Sequence, residues 1–573
     1  TFVNGGITNT VNMHNFDNVA DVNMALDQLQ DTFPNLERVG LVIAWMSDSK
    51  FLASSTIKPR IEYGPNEAEL TPYDWSVGAF DRSNTPIVQF FPDGSPTYGG
   101  TPSDKSVIHI LRELQARGLE VMFYPFLQID TTNEMSGEDD KPWRGRMTPT
   151  SAAELSNWFT KTNGYNSWIT HYLNLSVDGF ALKDLVDVFV IGSEMRGITQ
   201  YTSSYGVFPG VTHFKNLAAT ARSILGPGVQ LCYAADWSEY HTTGGWYNMD
   251  PLWTDVNIDI IGIDAYFPLT PDLPQVQISQ AKIKEYWEKG EGWDYYYDDS
   301  TNRVSNLVAS PITTTNLSAV VTLDLTGFVN HNLVIGQQIT LSDLVGVGGI
   351  SAGNLNGVRT VLSTPTVTSI TFTAGAAATS STSGGGSSGK INKPKYYSGT
   401  TYAWKNFEAW WKASSHINPD GGTTAWTAKH KPMWFTEYGF ASVDGCANQP
   451  NVFVDPDSIE GFYPRGSRRR IDYNAQRDAV NATEEHLEEL NNESGNANLI
   501  PVRFVWTWDA RPFPQFPDLI DVWSDGDLWK TGHWVNGKFG GSNLGIIVGI
   551  LLEKAGLTSS QYDSSSLNDI VDG

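Results

Sequence analysis

Two nearly unbroken runs of β-forming residues lie far apart in the chain, and each closes on a glutamate. They are Asp187-Val188-Phe189-Val190-Ile191-Gly192-Ser193-Glu194 and Lys431-Pro432-Met433-Trp434-Phe435-Thr436-Glu437. A strand that is apolar on both faces has no solvent side, so it belongs in a parallel sheet covered by helices. A carboxylate at its C-terminal end stands where an α/β barrel gathers its reactive groups. Similar runs alternate with helical patterns along most of the chain. A helix over 19–29 precedes a strand over 38–46, and a helix over 104–117, capped by Ser103 or Asp104 and stopped by Gly118, precedes a strand over 120–127. Helices over 152–175 and 213–225 precede strands over 187–194 and 229–235; a strand over 258–266 follows, and a helix over 477–490 leads into a strand over 501–508. This alternation predicts an α/β fold, a (β/α)8 TIM barrel. A short strand from Phe2 to Gly5 completes the eight, with Glu194 closing the fourth and Glu437 the seventh.

The alternation breaks at 304–390. Runs such as Val320-Val321-Thr322-Leu323-Asp324-Leu325 and Thr366-Val367-Thr368-Ser369-Ile370-Thr371-Phe372-Thr373 alternate β-branched and polar residues with no helical period. They predict a small all-β domain inserted in a barrel loop, with Ser380 to Lys390 as a flexible Gly/Ser linker back. The barrel is then 1–303 and 391–540. Residues 541–573, with an amphipathic helix between Asn543 and Gly556, read as the start of a further domain.

A net charge of -25 repels phosphate backbones and anionic lipid, which argues against a nucleic-acid partner. No stretch offers the ~20 consecutive apolar residues of a membrane span. Thr1-Phe2-Val3-Asn4 does not read as a signal peptide, and the missing initiator Met suggests a processed or excised fragment. Two cysteines, Cys232 and Cys446, are too few for a disulfide scaffold or a cysteine-based zinc site. His-Glu-x-x-His, Gly-x-Ser-x-Gly and P-loop patterns are absent, and no metal or cofactor is expected. Asp444, Asp455 and Asp457 lack EF-hand spacing and read as ordinary loop residues. The 20 tryptophans exceed what packing needs; core packing absorbs about half, and the remainder suits platforms for sugar rings.

Two carboxylates facing one cavity are what glycosidic bond cleavage requires, one as proton donor and one as nucleophile or base. By strand position Glu194 is assigned as acid/base and Glu437 as nucleophile. The acid needs a raised pKa and the nucleophile needs hydrogen-bond donors, a role suited to Tyr266 at the end of the sixth strand. Trp506 and Trp508 alternate onto one face of the eighth strand, at the cavity mouth. Trp45, Tyr124 and Trp237 are further sugar-contact candidates. Asp236 and Asp264 either bind sugar hydroxyls or brace neighbours, and Arg196 either holds a substrate carboxylate or pairs with an acidic residue.

At these residues the chain resembles the TIM-barrel-like glycosidase domain of gene transfer agent and phage tail hub proteins. The resemblance rests on Trp143-Arg144-Gly145-Arg146, on 189–197 around Glu194, on 233–240 (Tyr-Ala-Ala-Asp-Trp-Ser-Glu-Tyr) and on Trp434-Phe435-Thr436-Glu437-Tyr438-Gly439. It continues through 448–456, Trp508-Asp509-Ala510-Arg511-Pro512, 521–526 and Thr531-Gly532-His533-Trp534. More distantly, the paired glutamates resemble those of clan A glycoside hydrolases, which are retaining. Many of those carry Asn before the acid/base, to bind the sugar 2-hydroxyl, where this chain has Ser193. The resemblance implies a retaining β-glycosidase at the tip of a phage-tail-like or gene-transfer-agent-like particle. Its implied partners are a cell-envelope or surface glycan and other tail or baseplate proteins. It implies likewise that 304–389 is a decorating β-domain and that the C-terminus begins the hub's structural region. Two readings stay open: an active hydrolase, or a barrel kept for tail architecture or glycan binding. A free secreted enzyme fits less well.

Overall fold

The computed structural model describes residues 12–523, apart from 63, 65–68, 71–74, 91–98, 132–141, 205, 244–245, 271–272, 288–304, 328–330, 332, 334–337, 367, 393–404, 419, 453–462, 498 and 520–521, together with short strands at Phe2–Asn4 and Ile7–Asn9. Seven strands run parallel in one sheet: β1 (Arg38–Ser47), β2 (Glu120–Ile129), β3 (Val188–Ser193), β4 (Gln230–Asp236), β5 (Ile260–Asp264), β6 (Met433–Tyr438) and β7 (Val502–Val505). Each pairs with its neighbours in chain order, the arrangement of a singly wound barrel. The two-residue strand Ile57–Lys58 adds antiparallel to β1.

The expected strand from Phe2 to Gly5 does not extend this sheet. Phe2–Asn4 pairs antiparallel with Ile7–Asn9 and with Glu69–Leu70 instead. Across the seam between β1 and β7, a Cβ on Gly40 would lie 3.6 Å from the Phe504 ring. Helix α1 (Asp21–Thr32) is tied to the segment after β7, because Phe513 N donates to Gln28 Oε1 at 2.9 Å.

The remaining long helices are α2 (Asp104–Ala116), α3 (Ala152–Thr160), α4 (Tyr165–Leu173), α5 (Pro209–Leu225), α6 (Gln280–Trp287) and α7 (Tyr473–Asn492), of which α6 has no counterpart among the helices expected from sequence. Ser103 caps α2 by accepting from Ser106 N, and Gly118 just beyond it takes φ +77. The single helix expected over 152–175 is two. The turn between them needs Gly164, whose Cβ would come within 2.3 Å of Trp158 O, and Asn163 sits at φ +56.

Strand alternation divides the core in two. Met122, Tyr124, Val188, Val190, Cys232, Ala234, Ile260 and Trp434 fill the barrel interior. Phe123, Phe189, Ile191, Leu231 and Ile263 face outward into the layer beneath the helices.

Residues 305–392 form a separate eight-stranded antiparallel sheet. Its core, including Ile312, Leu323, Leu341, Ile370 and Phe372, shares no residue with the barrel's. The linker expected over 380–390 is part of this sheet: Thr382–Gly384 pairs with Ile312–Thr314, and Lys390 opens the strand Lys390–Asn392. Its serines and threonines find partners across strands, as Thr313 Oγ1 does with Ser383 Oγ at 2.9 Å. The expected domain at 541–573, the resemblance beyond Trp523, and Asp455 and Asp457 lie outside the described residues. Asp444 braces a loop, accepting from Ser467 Oγ and from Arg468 N and Arg470 N.

Candidate active site

The C-terminal ends of β2 to β6 bring together a buried network of four carboxyl groups, hydroxyls and one guanidinium. Glu194 follows β3 at φ +50, its backbone N–H still donating to Ala234 O on β4 at 2.8 Å. Left-handed backbone is uncommon for a residue with a Cβ, and it turns the chain sharply here. Glu194 Oε2 accepts from Trp143 Nε1 at 2.6 Å and pairs with Arg144 Nη2 at 3.0 Å.

Arg144 donates through Nε to Ser193 O (3.0 Å) and through Nη2 to Ser193 Oγ (2.7 Å). It is fully enclosed. Burial opposes its charge, but the surrounding acids, Glu194 foremost, raise its pKa above the usual guanidinium range. Trp143 and Arg144 both depend on Gly145, over which the indole lies: a Cβ there would come within 2.3 Å of Trp143 Cη2.

Glu437, in β6, accepts from Tyr266 Oη at 2.8 Å through Oε2. Its Oε1 is buried and has no hydrogen-bond partner among the described residues. Burial first, then the charge of Glu194, pushes its carboxyl up to about 7, while Arg144 and the Tyr266 hydroxyl pull it down. The upward push thus falls on Glu437, the residue assigned as nucleophile, while Arg144 pairs with Glu194.

Asp264 has no exposed surface. Its Oδ1 accepts from Thr436 Oγ1 (2.7 Å) and its Oδ2 from Tyr124 Oη (2.9 Å) and Ser193 Oγ (3.3 Å). Burial, with Glu437 and then Glu194 adding to it, pushes its carboxyl well above the usual range. Asp236, at the end of β4, is pushed up to about 6, by burial and then by Glu194, and accepts from Ser238 N at 2.9 Å. A fifth acid supports this group from behind. Glu239 accepts from Tyr233 Oη (2.8 Å), Asp236 N (3.0 Å) and Thr199 Oγ1, and Tyr233 Oη in turn accepts from Met195 N at 3.1 Å, next to Glu194.

Of the candidates read from sequence, Glu194, Glu437, Tyr266, Tyr124, Ser193, Asp264 and Asp236 converge here. Arg196 bonds to Gln200 Oε1 at 3.2 Å, and its charge lowers the Asp236 carboxyl. Trp506 is half-exposed and stacks on Phe126 at 6.1 Å and 21°, the same ring that carries the Arg144 guanidinium at 3.9 Å.

Three tryptophans do not join them. Trp45 points outward from β1, buried, with Nε1 donating to Tyr172 Oη at 2.8 Å. Trp237 is buried edge-on to Phe267. Trp508 does not share a face with Trp506. β7 ends at Val505, and Trp508 Nε1 reaches Ala25 O of α1 at 3.1 Å. Trp143, Arg144, Thr436 and Glu239 carry no individual role in the sequence reading. All four stand inside motifs given above, where Arg144 is a cation beside a Gly.

The fold and its buried side-chain network define a TIM-barrel domain with two buried glutamates at the strand ends, set among tyrosines and one arginine. The chain belongs to the family described as the GTA TIM-barrel-like domain, whose model matches residues 163–324 and 387–517, slightly over half of the chain. The unmatched interval lies inside the antiparallel sheet. Among solved structures, the chain is similar to a GH113 β-1,4-mannanase (13% identity, TM-score 0.36, covering 91% of this chain and 89% of that one). It is also similar to the GH113 β-mannanase AaManA from Alicyclobacillus acidocaldarius in complex with ManMIm (11% identity, TM-score 0.38, 89% and 88%). No curated protein matches.

Proposed function

We propose that this barrel is a retaining β-glycoside hydrolase of a phage-tail-like or gene-transfer-agent-like particle, acting on a cell-envelope or surface glycan. Glu437 carries the reading. One of its carboxyl oxygens is held by Tyr266 and the other, Oε1, is buried without a partner among the described residues. An unmet buried acceptor costs about 1–3 kcal/mol, a cost tolerated where a ligand atom occupies the position.

In this reading Glu437 Oε1 attacks the anomeric carbon while Glu194 gives its proton to the departing glycosidic oxygen. Glu194, now ionised, then takes a proton from water, whose oxygen displaces Glu437 and restores both carboxyls. Trp506 offers an apolar face for the sugar at the mouth, and Tyr124, Ser193 and Asp264 fix the floor. Family membership supports the particle context, with other tail or baseplate proteins as partners.

A second reading exchanges the two roles. It is favoured by the upward push on Glu437, a property of the acid, and by the Trp143 and Arg144 donors on Glu194, which suit an ionised nucleophile.

Aryl glycosides and envelope glycans, assayed with the parent chain, Glu194→Gln and Glu437→Gln, test hydrolysis itself. Each variant should lose roughly three or more orders of magnitude in rate. Equal and negligible turnover by all three on every substrate would sink the hydrolase and leave a glycan-binding or structural barrel. A mechanism-based inactivator that labels Glu437 supports the first assignment, and one that labels Glu194 the exchanged one.

A further inference from the structure

Away from the glutamates, a cavity of about 620 Å³ opens on the flank of the barrel. Its walls include Thr212 and Lys215 of α5, Trp246 to Asn248, and Asn418, and none of its lining residues belongs to the carboxylate network. The volume lies within the ~300–1,000 Å³ usual for small-molecule sites.

Its floor is built rigidly. The Tyr247 ring stacks on His416 at 4.1 Å and 12°, and His416 Nδ1 is 2.8 Å from Asp250 Oδ2. Tyr247 N donates to Asn418 Oδ1 at 3.1 Å. The Trp246 indole is seated over Gly206, at φ +70, where a Cβ would come within 2.5 Å of Trp246 Cη2. It remains half-buried, with apolar surface at the cavity.

Asn248 supplies the second, independent feature. It is 3% exposed; its Nδ2 donates to Thr199 O at 3.1 Å, and its Oδ1 has no hydrogen-bond partner among the described residues. A ligand that fits must bring an apolar face for the indole and a hydroxyl or amide hydrogen for Asn248, which is the chemistry of a sugar unit. Lys215 Nζ is 3.6 Å from Asp255 Oδ2, so the one cation named in the wall has its charge met, which disfavours a phosphate-bearing ligand.

We propose that this cavity is a second carbohydrate-binding site that holds a neutral stretch of the glycan cleaved at the two glutamates. The identity of that glycan rests on the proposed function, whereas sugar binding in the cavity does not. The complete chain carrying Glu437→Gln, which prevents turnover, is titrated calorimetrically with β-1,4-linked hexasaccharides of mannose, glucose and N-acetylglucosamine, and with inorganic phosphate.

At least one hexasaccharide should show two binding events. One of them should weaken at least tenfold both on adding Trp246→Ala and on adding Thr212→Trp, which fills the cavity from an exposed helix position. No binding by any hexasaccharide, binding of phosphate alone, or binding indifferent to both substitutions overturns the proposal. Turnover by the parent without Trp246-dependent binding overturns this site and leaves the catalytic reading standing. Trp246-dependent binding without turnover does the reverse.

Discussion

Arg144 stands among Glu194, Glu437 and Asp264, and its removal changes which carboxyls hold protons. Because Arg144 pulls the Glu437 carboxyl down, Arg144→Met should raise it beyond about 7. The limb of the kcat/KM pH profile governed by Glu437 then moves to higher pH. If Glu437 is the nucleophile this is the acid limb; if it is the acid, the alkaline limb. A profile that stays fixed or moves down counts against the network. Arg144→Lys should not restore the parent profile, since an ammonium cannot span both Ser193 atoms and Glu194 as the planar fork does.

Glu239 makes a separate claim about stability. Burial pushes its carboxyl up to about 8, from an ordinary 4.5, against the hydrogen bonds it accepts. A raised acid binds its proton more tightly in the folded state, so its contribution is full at low pH and is lost as pH rises from about 4.5 to about 8. Glu239→Gln should therefore raise the melting temperature more at pH 8.5 than at pH 5, relative to the parent. An equal shift at both values contradicts this. Sequence showed Glu239 as a carboxylate in a quoted string, but its burial and its link through Tyr233 to the turn at Glu194 are properties of β3 and β4 side by side.

At the scale of elements, the short turn Arg144–Arg146 and the residue that caps it, Trp143, deliver both donors that meet Glu194. Gly145→Ala would push a methyl into the Trp143 ring, so activity should fall at least tenfold while circular dichroism and the melting temperature change little. A large loss of stability without a specific effect on activity would show that Gly145 serves packing rather than placement.

The strands themselves were legible because a nearly continuous apolar run has few other uses. The orientation of their last residues was not. Alternation from Val188 and Val190 points Ser193 outward, yet a register shift between Val190 and Ser193 turns its hydroxyl toward Tyr124 and Asp264. A similar shift lies opposite Glu437. Trp45 misled for the same reason, since period two says which residues share a face but not which face is inside. Trp508 misled because β7 stops before it.

For the whole molecule, the insert and the barrel bury separate cores, so they should respond separately to damage. Phe372, fully buried in the insert, should cost about 3–5 kcal/mol when cut to Ala. Scanning calorimetry of the complete chain should then show one transition moving down and another holding its place. A single transition that shifts as a unit would mean the two cores unfold together.

The chain's own pattern determined the alternating barrel, the interrupting β-rich segment and the two strands that end in glutamate, because hydrophobic period and turn residues act locally. Tertiary structure decided the rest. It placed Phe2–Asn4 outside the barrel sheet, drew 380–390 into a sheet, and set Arg144 beside Glu194. The upward push on the Glu437 carboxyl arises from burial and from charges brought close by folding, neither of which has any counterpart in the order of residues along the chain.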